Sequence, residues 1–308
     1  VGVNVAADAL MSLTLAGVGG GLVIAVADDV GFSSSQNEQD TRCWGRFAHL
    51  PIFEPSDSQE AHDIIKDAFD VSEQFITPVI VRMTTRICHV KGLVQLGERV
   101  EHDGAAFERD PAHWVMVPAH AKERQKFQFA RDDQLSEFSE QTSWNRVIEG
   151  DDRRFGFVAS GPAFMHVREV FGDAPVLKLG FSHPLPMEKI RAFAASVEKL
   201  VVIEETEPLV ENALKAAGID CHGKDILPRC GELQPDVISK GVDILQSGQQ
   251  PQQTREDPGV FPRPPTMCVG CPHLPPYYCL SKLTKKATIV GDIGCYTLGA
   301  GHPWRALD

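Results

Sequence analysis

The chain has 308 residues, 43% of them hydrophobic, and a formal net charge of −12. That is enough material for two packed domains. The acidic balance, without any Lys/Arg block, excludes nucleic acid and anionic membrane as partners, because both need a clustered cationic face.

The first block alternates helix and strand. A helix is expected over Val5–Leu15, closed by Gly19-Gly20-Gly21. Residues 22–27 (Leu22 to Ala27) follow as a continuous apolar run of strand length, suited to a sheet buried on both faces. The run ends at Asp28-Asp29, and the loop after it, Val30 to Arg42, lies at the carboxyl end of a strand, where open α/β sheets place their ligand sites. It carries Ser33, Ser34, Ser35, Gln36, Asn37, Glu38, Gln39 and Asp40 in succession. On the residues alone this is either a solvated polar loop or a preformed set of donors and acceptors, with Arg42 or Arg46 able to clamp a carboxylate bidentately. Ser56-x-x-Gln59 is a capping-box pattern, and Ala61, Ile64, Ile65, Ala68, Phe69 and Phe75 then share one helical face. Thr77-Pro78 ends that helix, and residues 79–83 give the next strand of a right-handed β-α-β unit. Cys88 and His89 are expected on the loop that follows, as core or loop residues.

Residues 92–150 are rich in charge and poor in aromatics, with a helical stretch from Lys122 to Phe138, and predict a solvated connector. A second α/β block covers 151–235. It has a strand at Phe155–Ser160, a helix launched by Gly161-Pro162 and running to Phe171, and a strand at Val176–Gly180. A helix with Ile190, Phe193, Ala194 and Val197 on one face then leads to a strand at Leu200–Ile203. Such alternation predicts a parallel sheet. Glu204, Glu205 and Glu207 close the last strand. Hard-cation sites recruit carboxylates from separated positions, so these acids are assigned to the N-terminus of a helix beginning near Pro208, where the dipole favours them. A linker is expected over 236–265, with its Pro/Gln-rich part at Ser247–Pro265.

Residues 266–308 hold four of the eight cysteines. Met267-Cys268-Val269-Gly270-Cys271-Pro272-His273 sets two thiols two residues apart on a Gly-Pro turn, and Cys295 comes from the loop after an expected strand, Thr288 to Val290. Zinc in a Cys3His set and an iron-sulfur cluster both suit this spacing; small buried apolar cysteines are the plain alternative. None of the cysteines is spaced like a small disulfide scaffold and no signal peptide is seen, which suits a reducing cytoplasm. No apolar run reaches the ~18 residues of a membrane span. The chain opens on Val1 inside an expected helix and stops at Asp308 just after a glycine loop, as an internal piece of a longer protein would.

Cys268-x-x-Cys271-Pro272-His273 followed by Gly291-Asp292-Ile293-Gly294-Cys295-Tyr296-Thr297-Leu298-Gly299 resembles the entry to the thiamine-diphosphate domain of the alpha (large) subunit of indolepyruvate:ferredoxin oxidoreductase. In the same order, Ala27-Asp28-Asp29, the run Ser34 to Asp40, Glu54 to Ala61 and Thr84 to His89 also resemble that subunit, so the likeness covers nearly the whole chain. It implies an α/β, parallel-sheet thiamine-diphosphate-binding fold: the latter part of a pyrimidine domain (1–91), a connector (92–150), a transketolase C-terminal-like domain (151–235), a linker (236–265) and the start of the diphosphate domain (266–308).

The resemblance further implies an enzyme that decarboxylates aryl 2-oxo acids with thiamine diphosphate and Mg²⁺. It passes single electrons through [4Fe-4S] clusters to ferredoxin and hands the acyl group to coenzyme A. A smaller beta subunit joins it in a hetero-oligomer. By the same resemblance, Ser34, Ser35, Gln36, Asn37, Glu38, Gln39, Asp40 and Arg42 form a substrate or cofactor loop. Asp292, Gly294, Cys295 and Tyr296 lie on the thiazolium side, and Cys268, Cys271 and Cys295 match three of four cluster thiolates. The activating glutamate falls upstream of Val1, and the Mg²⁺ motif and ferredoxin-like clusters fall beyond Asp308, so no catalytic residue is expected within the chain, which by itself should be inactive. Val269 stands where a proline is commoner, and Leu274-Pro275-Pro276 departs from the basic residue usual after His273, which leaves the preferred acid less determined than the reaction class. The alternatives are another 2-oxo acid:ferredoxin oxidoreductase, a non-redox thiamine-dependent decarboxylase, or a zinc-stabilised structural subunit.

Overall fold

A computed structural model of the chain describes residues 2–33, 35, 37–99, 109–248, 266–283, 286–292 and 294–307. Two compact units part between residues 251 and 252. In the first, two short helices, α1 (Gly2–Val5) and α2 (Ala7–Ala16), precede β1 (Val23–Asp28), α3 (Cys43–Ala48), β2 (Ile52–Phe53), α4 (Ser58–Phe75), β3 (Val79–Thr84) and α5 (Thr85–His89). Next come α6 (Pro111–Trp114), α7 (Pro118–Gln141), β4 (Asn145–Ile148), β5 (Phe155–Ser160), α8 (Gly161–Val170), β6 (Val176–Leu179) and β7 (Phe181–His183). The unit closes with α9 (Met187–Ala194), β8 (Lys199–Ile203), α10 (Leu209–Ala216) and α11 (Pro235–Ser247).

The strands form two four-stranded sheets, ordered β1-β3-β2-β7 and β4-β6-β5-β8. Three strands of each are parallel, and β7 and β4 close them as antiparallel neighbours of β2 and β6. The expected parallel sheets are thus mixed at one edge each. Alternate side chains serve opposite faces. In the second sheet, Phe157, Val176, Val201 and Ile203 pack with α8 and α11, while Val158, Leu177, Leu179 and Val202 pack with α9 and α10. In the first sheet, Phe53, Val79 and Val81 meet α4 and Leu135, while Ile52 and Ile80 meet Ala48 and Leu50. Each such fully buried side chain contributes about 1.5–3 kcal/mol.

The sheets are joined at Gly180, between β6 and β7. Its N–H donates to the Trp144 carbonyl and its carbonyl accepts from Glu54 N–H, so the chain passes from one sheet to the other within one residue. A Cβ there would come within 2.8 Å of the Trp144 carbonyl oxygen, which only glycine avoids.

Several local expectations change. The α4 cap is Asp57 rather than Ser56: its carboxylate accepts from Glu60 N–H at 2.8 Å, and Glu60 reaches back to the Ser56 N–H and hydroxyl. Cys88 and His89 lie in α5, not in a loop. Residues 118–148, expected within a solvated connector, contain α7, which buries Gln128, Arg131, Leu135 and Ser139, and the edge strand β4. Likewise the first part of the expected 236–265 linker is α11, with Ile238, Gly241 and Val242 buried; the Pro/Gln-rich part from 249 to 265 lies outside the described residues. No described helix is long and apolar enough to cross a membrane.

The second unit has a turn closed by Cys271 N–H to the Cys268 carbonyl, helix α12 (Leu274–Ser281) and a 3-10 helix over Cys295–Ala300. Tyr277 is its buried centre, donating to the Tyr296 carbonyl at 2.8 Å. Thr288 to Val290 form no strand.

Candidate functional site

The carboxyl ends of the parallel strands carry the charged residues. Asp28 ends β1, Arg82 is the third-last residue of β3, Glu54 follows β2 and Glu204 follows β8. All four are buried, as are Asp40 and Arg42 from the loop after β1. Arg82 donates from Nε to Asp28 and from Nη1 to Glu54, both at 2.6 Å, and its Nη2 lies 3.8 Å from Asp40. The Arg42 guanidinium takes Asp40 in a bidentate grip, Nε at 3.0 Å and Nη2 at 2.6 Å. It also donates to Glu204 at 2.8 Å and to the Glu205 and Glu207 carbonyls. Six acidic and basic side chains therefore tie the two sheets together.

Three of the four carboxylates are held from a second side. Asp28 accepts from the Thr41 N–H and hydroxyl, Asp40 from the Thr206 hydroxyl and Glu207 N–H, and Glu204 from the N–H groups of Val210 and Glu211 in the first turn of α10. That last contact is the helix-end role expected of this acid. Burial alone would raise the Asp40 carboxyl, but Arg42 and Arg82 outweigh it and hold it well below the ordinary carboxylate range. Burial does prevail at Glu205, whose carboxyl is pushed up despite its hydrogen bond from Leu233 N–H. Glu54 Oε1, Arg82 Nη2 and Thr84 Oγ1 are buried without a hydrogen-bond partner; orphan polar atoms grouped at strand ends mark a place built for more than packing.

The expected substrate or cofactor loop divides. Asp40 and Arg42 belong to the buried network, so the carboxylate that Arg42 clamps is the protein's own. Ser35 donates its N–H to Asp29, Glu38 accepts from Gly31 N–H, and the Gln39 amide donates to Asn37 and accepts from Asn4, all near the surface. Ser34 and Gln36 lie outside the described residues. The other candidate clamp, Arg46, is exposed on α3 and lines a cleft of about 780 Å³ with Cys43, Ser182, His183 and the α10 residues Leu209 and Ala213. Burial, with His49 and Arg46 adding to the effect, lowers the His183 pKa to about 4. Sequence reasoning missed Glu54, Arg82, Ser182 and His183. Arg82 alone left a signal, a charge inside an apolar strand run.

In the second unit, Cys268 and Cys295 are exposed and Cys271 is partly buried, 3.2 Å from Nδ1 of His273. Among the described residues no group of three or more His, Cys, Asp or Glu is arranged to hold a metal ion. Gly294 has φ +100°, with open space where a Cβ would stand, and the 3-10 helix after it starts without a side-chain cap. The Tyr296 ring packs edge-on against His273, centroids 4.8 Å apart. Ile293 lies outside the described residues.

Scanned against protein-family models, the chain matches none. Among solved structures it is similar to the 2-oxoglutarate:ferredoxin oxidoreductase from Magnetococcus marinus, with a TM-score of 0.58 over 79% of this chain and 51% of that one. At 14% identity the likeness shows the fold, the α/β architecture that the sequence implied. In sequence it is 37% identical over 329 residues to the indolepyruvate oxidoreductase subunit IorA of Methanothermobacter thermautotrophicus, covering 100% of this chain and 53% of that protein. Against the same subunit of Pyrococcus abyssi it is 35% identical over 336 residues, covering 100% and 52%. The chain thus spans about half the length of the curated relatives it matches. Along all of its residues the chain is similar to about half of the indolepyruvate oxidoreductase subunit IorA.

Proposed function

We propose that the chain is part of an enzyme that oxidatively decarboxylates aryl 2-oxo acids, of the indolepyruvate and phenylpyruvate type, to aryl-acyl-CoA. Ferredoxin takes the electrons, and a smaller beta subunit completes a cytoplasmic hetero-oligomer. The observation that carries this is identity of 34–37% to IorA subunits over every part of the chain.

Thiamine diphosphate, with Mg²⁺, would supply an electron sink for the carbanion left by decarboxylation. The residues present fit it in one respect. The backbone at Gly294 is unobstructed where a side chain would stand, and no side chain caps the turn after it. Asp292, Gly294, Cys295 and Tyr296 would flank the group there. Within the first unit, Ser35, Asn37, Glu38 and Gln39 would present hydroxyl, amide and carboxylate groups to a substrate or cofactor. The Asp28, Arg82, Glu54, Asp40, Arg42 and Glu204 network fixes the base of that loop, so that its polar groups are held in place before a ligand arrives.

The cysteines do not fit an iron-sulfur cluster as they stand, since Cys268, Cys271 and Cys295 are not gathered about one point. Electron transfer is therefore assigned to no group of this chain.

Product identity tests the proposal. The full-length protein and its partner subunit, handled anaerobically with thiamine diphosphate, Mg²⁺, coenzyme A and a viologen, should convert phenylpyruvate to phenylacetyl-CoA. Phenylacetaldehyde released with no viologen reduced would overturn it in favour of a non-redox decarboxylase.

A further inference from the structure

The cleft of about 780 Å³ beside α3 and α10 is large enough for a small molecule, within the ~300–1,000 Å³ range of such sites. Its volume comes from residue size. Leu209, Ala213 and Ala216 fall at helical spacing along the face of α10 that lines it, and the two alanines leave room where larger side chains would close it. A neighbouring cavity of about 210 Å³ shares Arg46, Ser136, His183 and Pro184 with it.

The polar groups are few and unevenly committed. Arg42, on one wall, is consumed by Asp40 and Glu204. His183 is neutral at pH 7, because burial first, then His49 and Arg46, depress its pKa to about 4. The Cys43 thiol is held protonated by burial and by Asp40. Arg46 forms no ion pair among the described residues. The Ser182 Oγ is buried without a hydrogen-bond partner in a residue only 7% exposed. One unpaired guanidinium thus lines a largely apolar space, with one unanswered hydroxyl buried in its wall.

We propose that this cleft binds a small organic carboxylate with an apolar body, paired with Arg46, hydrogen-bonded by Ser182 and seated against Leu209 and Ala213. A carboxylate matches the fork of a single guanidinium. A phosphate would bring a second negative charge that no other free cation of the cleft answers. The inference stands apart from the decarboxylase proposal, since it uses neither the polar loop nor the second unit.

Calorimetric titration of the 308-residue chain with 3-phenylpropionate and, in parallel, with the uncharged 3-phenylpropan-1-ol tests it. Saturable binding of the acid is expected, about tenfold tighter than that of the alcohol. Arg46→Met should bring the acid down to the affinity of the alcohol and leave the alcohol unchanged. Ser182→Ala should weaken the acid about tenfold, the lower range for one hydrogen bond to a charged group. Ala213→Trp should abolish binding of both. Independently, 3-phenylpropionate should slow alkylation of Cys43, followed by peptide mass spectrometry, in the parent chain but not in Ala213→Trp. No saturable binding, equal affinity of acid and alcohol, or an acid affinity unchanged in Arg46→Met would each overturn the proposal. Circular dichroism of every variant guards against a loss that is merely unfolding, and the Cys43 readout in the parent chain needs no variant at all.

Discussion

Replacing Arg42 by methionine should destabilise the first unit severely without touching an exposed surface. The side chain keeps its length and apolar stem, but two buried carboxylates lose their main counter-charge. Asp40 loses bonds of 2.6 and 3.0 Å and Glu204 one of 2.8 Å. Removing one partner of a buried ion pair costs about 3–5 kcal/mol. Asp40 keeps Arg82 at 3.8 Å and the Thr206 hydroxyl, and Glu204 keeps two N–H groups of α10, so the lower end, about 3 kcal/mol, applies. That is a large part of the ~5–15 kcal/mol that holds a domain folded. Urea unfolding at pH 7, followed by tryptophan fluorescence and circular dichroism, measures it, and Asp40→Asn in the same background should recover about 1–2 kcal/mol relative to the sum of the single changes. The sign with pH is fixed as well. The Asp40 carboxyl titrates lower when folded than when unfolded, so its contribution is complete above the ordinary carboxylate range and is lost as the pH falls through the folded value. An Arg42→Met chain within about 1 kcal/mol of the parent, or a double variant that is simply additive, would refute the reasoning and return Arg42 to the role of a free substrate clamp.

Other consequences follow from single contacts. His183, with a pKa lowered from 6.5 to about 4 when folded, should cost stability as the pH falls from 6.5 towards 4, about 2 kcal/mol between pH 7 and 5. His183→Gln should remove that part of the acid loss in urea midpoints taken at the two pH values. Asp57→Ala removes the α4 cap and should cost about 1 kcal/mol in the same assay. Gly45→Ala would put a Cβ 2.6 Å from the His183 ring; the overpacking should cost about 1–3 kcal/mol, visible as a lower melting temperature that persists at a pH where His183 is neutral in both states.

Five of the eight strands are legible as apolar runs: four are covered on both faces, Phe155–Ser160 and Val79–Thr84, for instance, being buried almost throughout, whereas β1 keeps its apolar run although Ala25 and Ala27 are exposed. The structure of residues 118–148 is not legible in that way, because α7 buries Gln128, Arg131 and Ser139 beside a single leucine. Arg131 earns its burial by donating to the Thr14 and Ile76 carbonyls, partners more than fifty residues away. The same holds at the candidate site. The polar loop after β1 announces itself, but the use made of Arg42 depends on Glu204, 162 residues on, and nothing local distinguishes a structural guanidinium from one reserved for a ligand. Ser182 and His183 occupy a three-residue strand that crosses to the other sheet, a pairing decided by Gly180 and not by any local pattern. The cysteine spacing suggested a metal cage, yet thiols at matched spacing converge only if the intervening backbone brings them together.

The measurement that bears most directly on the assignment is viologen reduction by the full-length protein with its partner subunit, purified anaerobically and supplied in turn with indolepyruvate, phenylpyruvate, pyruvate and 2-oxoglutarate, each with coenzyme A. Reduction with indolepyruvate and phenylpyruvate alone is the predicted result. Reduction only with pyruvate or 2-oxoglutarate, or none with any of the four in a preparation shown to contain thiamine diphosphate and iron-sulfur clusters, would contradict it.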